Sequence, residues 1–593
     1  MSISANFPNV RPSLLLDFAQ SQQLDPRVTF SRSTTALYYD GKTSVLAEQN
    51  TTLNSSSLSG QLVLSTGSAT VTYNSTTAPD GTTTATSIVP TNGATIAIYY
   101  IGNGPTNSAY SYTVSIYVKA NGMNYVAIGT SNASSIVIEA NLSTGVVSGG
   151  SGSVVSAGNG WYRIIATFSS YNNGTYYLQV RDTSGTTTLS TANGTNGIYV
   201  WGAQSEQRSS VTAYNATTTS AITNYIPQLL TAPINAPRFD FNPTTGESLG
   251  LLIEQSSTNL QTYSQDFSNA GWAKTNITVT SGADIAPDGT QTFQKLVEST
   301  ATGLHYVSGP QQVLSIGTAY TTSFYVKSAG RNYIAAAGDA ALGSLGGFTG
   351  FDLTNGTVVS NGSGVTSSSI ASVGNGVYRC SITATATNTV GDVSVVLRTT
   401  SGSGTQSYTG DGYSGIYIWG AQLEALALAT SYIQTTSAQV TRAADVAQMT
   451  GTNFSSWYNN AQGTFFTEGA GTQSNAGATM TVMNSTYTNY AISMFYSSAY
   501  YVLSYPSGNS MTFTASSGIN TKQSFAYTST NIVGSLNGSV TQSIANASNP
   551  ALATLLTIGN YFNFSIFYNG RIKKLAYYPQ ALTSAQLQSL TGS

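Results

Sequence analysis

YTVSIYVKANGMNYVAI (112–128) returns 208 residues later as YTTSFYVKSAGRNYIAA (320–336). Each stretch sets β-branched and aromatic residues at every second position and then breaks at Asn-Gly or Ala-Gly. A period of two closed by turn residues reads as antiparallel strands of a sandwich. The pair is one of a series. TAPDGT (77–82) returns as IAPDGT (285–290), AGNGWYRIIAT (157–167) as VGNGVYRCSIT (373–383), and NGIYVWGAQSE (196–206) as SGIYIWGAQLE (414–424). The matches keep their order and the offset drifts only from 208 to 218, so one β-domain is present twice. A repeat near 200 residues is too long for a solenoid and is the length of a duplicated domain.

The rest of the chain follows this reading. The expected architecture is all-β: several antiparallel β-sandwich (jelly-roll) domains, two of them an internal duplication, with a short C-terminal helix. Copy one spans 51–227 and copy two 258–444. The flanking segments 1–50 and 228–257 are expected to pack together, with copy one inserted between them. The last unit, 445–593, contains clean alternation in GTFFTEGAG and NIVGSLNGSVTQS and an Asn-Gly hairpin signal at 536–539. It closes with a helix that Thr583 and Gln586 can cap as a box.

Composition excludes several functions. Of 593 residues only 7% are charged, where an ordinary protein has about 25%. Twenty basic and 22 acidic residues leave a net charge of −2, so there is no basic field for nucleic acid. One cysteine, Cys380, rules out an internal disulfide and a cysteine metal cluster, and one histidine, His305, rules out a multi-histidine zinc site. No apolar run is long enough for a membrane-spanning helix. MSISANFPNV lacks the basic and apolar regions of a secretory signal, so export by a route such as lysis is expected.

The scan for chemistry is correspondingly thin. No GxSxG elbow and no GxxxxGK loop occurs. His305, in TGLHYVSG, reads as a surface or turn histidine, and Cys380 as a small core residue because Ile164 holds its place in copy one. Asp80 and Asp288 read as makers of the two PDGT turns. Asp411, in YTGDGYSG, is the one candidate to hold a structural calcium beside backbone carbonyls, with a turn as the plainer role; no other cofactor is expected. Trp201, Trp419 and Trp272 read as packing residues. The region after Glu468 contains no acid, so it cannot supply the carboxyl pair that glycoside hydrolysis needs. It does contain a small basic cluster, Arg571, Lys573 and Lys574, read as a solvated strand and turn, or as a weak contact for acidic sugars or an acidic neighbour in the particle. Tyrosine crowds at 487–505, where Tyr496, Tyr500, Tyr501 and Tyr505 are the candidate glycan contacts, since a phenol offers an apolar face and a hydroxyl.

The pattern IGN (558–560) followed by GRIKKLAYYPQALTSAQLQSL resembles the last strand and closing helix of concanavalin A-like, laminin-G-type domains. LDPRVTFSRSTTALYYD (24–40), PRFDFNPTTGESLGLLIEQSSTNLQTYSQDFSNAGWAKTNITVT (237–280), GIYIWGAQLE (415–424) and SYIQTTSAQVTRAAD (431–445) resemble modules of bacteriophage virion surface proteins of the tail-fibre and head-fibre type, with carbohydrate-binding-module-like jelly rolls. Copy one departs from this: TTLNSSSLSGQLVLST stands in place of STNLQTYSQDFSNAGW, so the role of that stretch is expected to be lost there. The resemblance implies a non-enzymatic protein of the virion surface, made in the host cytoplasm. It implies a particle-anchoring segment at 1–50, other virion proteins as partners, a homo-oligomer of trimer type and a host surface glycan as ligand. It implies neither nucleic acid nor membrane as partner. A purely structural decoration or head-fibre role and a capsule depolymerase are the alternatives.

Overall fold

A computed structural model of the chain describes residues 10–103, 111–130, 135–168, 175–337, 347–400, 406–471, 477–484, 490–496, 500–504, 509–513, 519–545, 553–561 and 566–592. These are almost entirely β, with three helices among them: Phe18–Ser21, Thr452–Ser455 and Ser584–Gly592. The fold is all-β and built of antiparallel sandwiches.

Each copy is a pair of six-stranded sheets with the same strand order. In copy one, Tyr112–Asn121 lies between Trp161–Phe168 and Gly197–Glu206. In copy two, Ala319–Ala329 lies between Val377–Thr385 and Gly415–Glu424. Even the irregularities repeat. Thr72 faces Ser87 and Thr76 faces Ala85 across a bulge, and Thr280 faces Lys295 and Asp284 faces Phe293 across its counterpart.

The repeated WGAQ motif has a local cause. Gly202 and Gly420 have φ of 62° and 66°, and each sits at an irregularity of the pairing, where the extra residue bends the strand. A Cβ at Gly202 would lie 2.9 Å from the Tyr117 ring, and one at Gly420 3.0 Å from Tyr325. The following Gln accepts from the backbone of Asn215 in copy one and of Ile433 in copy two, both at 2.7 Å. Alternation alone predicts one wet face for these strands. Gly415–Glu424 is buried at all ten positions because its outer face is covered as well, by Tyr325, Tyr432 and Leu229.

The C-terminal unit is not built from 445–593 alone. Its larger sheet places Arg238–Phe241 and Ser248–Ile253 beside Gly570–Tyr578, and Leu14–Asp17 pairs with that same strand. Its second sheet begins with Thr29–Ser31 on Val446–Thr450. Leu14, Leu16, Phe18, Leu251 and Ile253 therefore share a core with Phe465, Trp457 and Tyr577. A two-stranded ribbon of Ala36–Asn50 and Ile222–Ala232 leads from this unit to copy one. The closing helix docks Leu587 and Leu590 on the outer face of the larger sheet, and Thr583 with Gln586 forms the expected capping box. Asn537 and Gly538 are both left-handed, as an Asn-Gly hairpin requires.

Where these segments meet, the chain gathers five of its few charges out of water. Asp445 accepts from Arg32 at 2.9 Å and from Arg238 at 2.5 Å, and all three side chains are fully buried. Arg238 also reaches Glu254 at 2.9 Å, with Arg442 3.5 Å from the same carboxylate. Ser431 donates to Glu254 from its backbone and its hydroxyl. Desolvation on this scale is tolerable only when each charge is paired and hydrogen-bonded. The five residues come from TFSRST, PRFDF, LLIEQ and TRAAD, so the separated motifs of the sequence converge on one buried cluster.

Candidate functional site

Both copies open with the same clamp. In copy two the Asn259 amide donates to Ala421 O and Ile433 O, and Ser264 meets the Tyr432 hydroxyl at 2.6 Å. In copy one the Asn50 amide donates to Ala203 O and Asn215 O, and Ser55 meets Tyr214 at 2.8 Å. Asn50, just before the divergent stretch, and Ser55 within it thus keep the clamp in copy one, contrary to the expected loss. What copy one lacks is the part that follows.

That part builds a cleft in copy two. After the clamp, Tyr263 turns to φ 53°, an uncommon conformation for a bulky residue. Its carbonyl accepts from the Trp272 indole at 3.1 Å, and Trp272 packs on Phe267 with ring centroids 4.4 Å apart. Gln265 and Asp266 lie between Tyr263 and Phe267 in the chain, in the segment that this aromatic pair holds in place. Together with Gln291, Gln294 and Gln434 they line an open cleft of about 510 Å³. Gln434 donates to Gln265 at 3.0 Å. Gln294 accepts from Phe267 N and Ser268 N and donates to Ser281. Gln291 is held from the other copy, by the Ser210 hydroxyl and by Val211 O at 3.4 Å. The cleft is walled by copy two alone, and copy one reaches it only through these contacts to Gln291.

Its electrostatics are simple. Asp266 is the one charged residue in the lining. Burial raises its pKa, but the hydrogen bonds from Ser268 and Gln294 outweigh that, and the carboxyl titrates below its ordinary value. The cleft's other polar groups are amides and hydroxyls, which both donate and accept, set beside the Tyr263 ring and Gly282. A second cavity, of about 90 Å³, lies beside the buried charge cluster and includes Asp240 and Glu254 in its wall. Both carboxylates are ion-paired there, to Arg571 at 2.7 Å and to Arg238 at 2.9 Å. With its walls already committed to ion pairs, this polar space suits ordered water.

The residues singled out from the sequence are distributed differently. Tyr496, Tyr500 and Tyr501 lie on the paired strands Tyr490–Tyr496 and Tyr500–Ser504, with Tyr496 opposite Tyr500. Their side chains, and Tyr505 altogether, are outside the described residues. Asp411 makes a turn: it accepts from Tyr413 N and Ser414 N at 3.0 and 2.7 Å, and its other oxygen faces Arg331 at 3.2 Å. Among the described residues no three metal-ligating side chains cluster. His305 is fully buried and not at the surface, with Nδ1 3.0 Å from Asn276 O and its ring against Tyr408. Cys380, Trp201, Trp419 and Trp272 are core residues, as read. Asp80 and Asp288 make matching turns, each accepting from the Thr two residues on at 2.9 Å. The basic cluster is partly solvated, as read, but each of its cations is already paired and so not free for acidic sugars. Arg571 pairs with Asp240, Lys573 with Glu247 at 2.5 Å and Lys574 with Asp17 at 2.9 Å, because the linker and N-terminal strands bring acids alongside.

The cleft residues carried no motif. A signal was available in the duplication itself. The positions of Gln265, Gln291, Gln294 and Gln434 are held in copy one by Ser56, Thr83, Thr86 and Ala216.

No family model and no curated protein matches the chain. Among solved structures, it is similar to the N-terminal CBM22-1-CBM22-2 tandem domain of Paenibacillus barcinonensis Xyn10C, at 9% identity over 64% of this chain and 98% of that one, with a TM-score of 0.18. It is also similar to the LG1-3 region of the laminin alpha2 chain, at 12% identity over 83% of this chain and 97% of that one, again with a TM-score of 0.18. Scores of this size support no functional inference, and neither likeness bears on a phage setting.

Proposed function

We propose that this chain is a non-catalytic glycan-holding protein of a bacteriophage particle surface, a fibre or tail appendage that attaches the particle to host surface glycans. The observation that carries the glycan part is the open cleft of copy two, about 510 Å³ in volume, which sets amides, hydroxyls and a single carboxylate beside the Tyr263 ring. Such a lining matches the hydroxyl inventory of a sugar. The phage setting, the trimeric assembly and the virion partners rest on the sequence resemblance. A purely structural role would leave no open cleft to account for. Depolymerase chemistry would require two carboxyl groups about 5–10 Å apart across a scissile bond, and Asp266 has no acidic partner in the lining.

The test is retention of the full-length chain on a glycan array at low and at high salt. Binding that persists unchanged as salt rises is expected, because a ligand held by neutral hydrogen bonds releases few counterions. No retention on any glycan at either salt would end this reading, and shortening of the arrayed oligosaccharides would replace it with an enzymatic one.

A further inference from the structure

We propose that the copy-two cleft takes an uncharged sugar, and that each chain carries one such site although its scaffold is present twice. The inference rests on the glycan-holding reading and deepens it. Its first support is the charge around the cleft. The lining contains one carboxylate and no cation. Asp266 is held ionised by Ser268 and Gln294 and can only accept hydrogen bonds. A ligand must therefore bring donors to it. A hydroxyl or an amide N–H does so, whereas a uronate, sialate, sulfate or phosphate brings a like charge. The basic residues that might have drawn an acidic sugar, Arg571, Lys573 and Lys574, are each paired elsewhere.

The second support is the orientation of the amides. Gln434 Nε2 donates to Gln265 Oε1 and the Gln265 amide also donates to the Tyr432 hydroxyl, which fixes Gln265 with one further Nε2 hydrogen to give and leaves Gln434 Oε1 as an acceptor on the neighbouring amide. Adjacent donor and acceptor fit a vicinal diol or an N-acetyl group. Gln434 is exposed and Gln265 half-buried, so both can meet a ligand.

The third support is the comparison of the copies. Their strand registers coincide across the bulge that forms one cleft wall. At that wall Tyr73 stands where copy two has Ser281. Thr86, in place of Gln294, turns its hydroxyl onto Ser57 O at 2.5 Å. Ser57 replaces Asp266, and Ala216 replaces Gln434. Copy one has kept the clamp and lost every long polar side chain that lines the cleft.

The experiment uses the full chain on an array of neutral hexose and N-acetylhexosamine oligosaccharides beside their uronate, sialylated and sulfated counterparts, followed by calorimetric titration with the best-retained oligosaccharide. Expected are neutral ligands bound at least tenfold more tightly than acidic ones, a stoichiometry of one per chain, and a loss of tenfold or more in Gln434→Ala and Gln265→Ala. Unchanged circular dichroism of those variants shows that they fold. Ala216→Gln should leave binding as it was. Preference for acidic glycans or a stoichiometry of two overturns the inference. Neutral binding that survives both Gln variants removes the cleft assignment and leaves the glycan-holding reading standing. Absence of binding to any glycan defeats both.

Discussion

Asp445 and Arg32 are 413 residues apart in the chain and 2.9 Å apart in the fold, and both are wholly buried. Asp445 is also the acceptor for Arg238, so it neutralises two guanidinium groups that have no access to water. Removing it should be severe. Asp445→Asn is expected to lower stability by about 3–5 kcal/mol, the cost of leaving buried charge uncompensated. Lys573→Gln breaks a pair whose acid, Glu247, is 58% exposed, and should cost under about 1 kcal/mol. Denaturant midpoints of the two full-length variants check the contrast; equal shifts would mean that the buried cluster is no keystone.

The same cluster predicts acid behaviour. Burial acts to raise the Glu254 pKa, but Arg442 and Arg238 beside it prevail and hold the carboxyl well below the usual range. A carboxyl bound more weakly to its proton when folded adds stability that is complete above the unfolded value, about 4.3. That stability fades as pH falls toward the folded one. Between neutrality and pH about 5 the midpoint should therefore stay level on account of this group, with loss confined to stronger acid. Glu254→Gln should flatten that acid limb in a pH series of unfolding curves.

Lys295 points the other way. Burial lowers its pKa to about 8, helped by Arg163 and opposed by Asp411 and Glu298, while its ammonium donates to Tyr413 O at 2.8 Å. Unfolded lysine titrates near about 10.4. The folded chain thus holds this proton less firmly, and the group costs stability at neutral pH that is recovered as pH climbs from the folded toward the unfolded value. Copy one has Ser87 in register there. The stability gap between Lys295→Met and the natural chain should be widest below about pH 8 and close by about pH 10. A gap that ignores pH would show that the lysine stays charged throughout.

Expressed alone, residues 445–593 should aggregate, because both their sheets would lack strands and the core would lose Leu14, Leu16, Leu251 and Ile253. Excising copy one should be gentler. Asn50 and Ile222 face each other at the end of the ribbon, so a two-residue Asn-Gly turn can join them as a hairpin. Solubility and circular dichroism of the two products decide; a well-folded 445–593 fragment would contradict the shared core.

The sequence exposes what is local and what is said twice. Alternation marked the strands, Asp80 and Asp288 marked their turns, Thr583 and Gln586 marked the helix start, and the duplicated blocks foretold two sandwiches of one design. Pairing between Leu14–Asp17 and Gly570–Tyr578 leaves no comparable trace, since neither partner's periodicity depends on which strand it meets. The fate of Arg571, Lys573 and Lys574 was hidden for that reason: their acids lie in distant segments. His305 looked like a turn residue because its neighbours are polar, yet the carbonyls of Asn276 and Tyr408 draw it inside. The cleft glutamines come from three separate segments, with Gln294 on the strand Phe293–Glu298 and Gln291 just before it, and glutamine by itself signals nothing. Only their contrast with Ser56, Thr83, Thr86 and Ala216 sets them apart.

Leu14 lies opposite Tyr577 and Asp17 opposite Lys574, so the first described strand enters beside the place where the last one leaves. Tension applied at residues 13 and 579 would open this pair from its end, rung by rung, as a zipper. Until that strand had peeled away, both copies and the joint between them would hang outside the load path like a pendant on a closed loop. The fold thus keeps the two copies off the path of a pull applied at its first and last described strands.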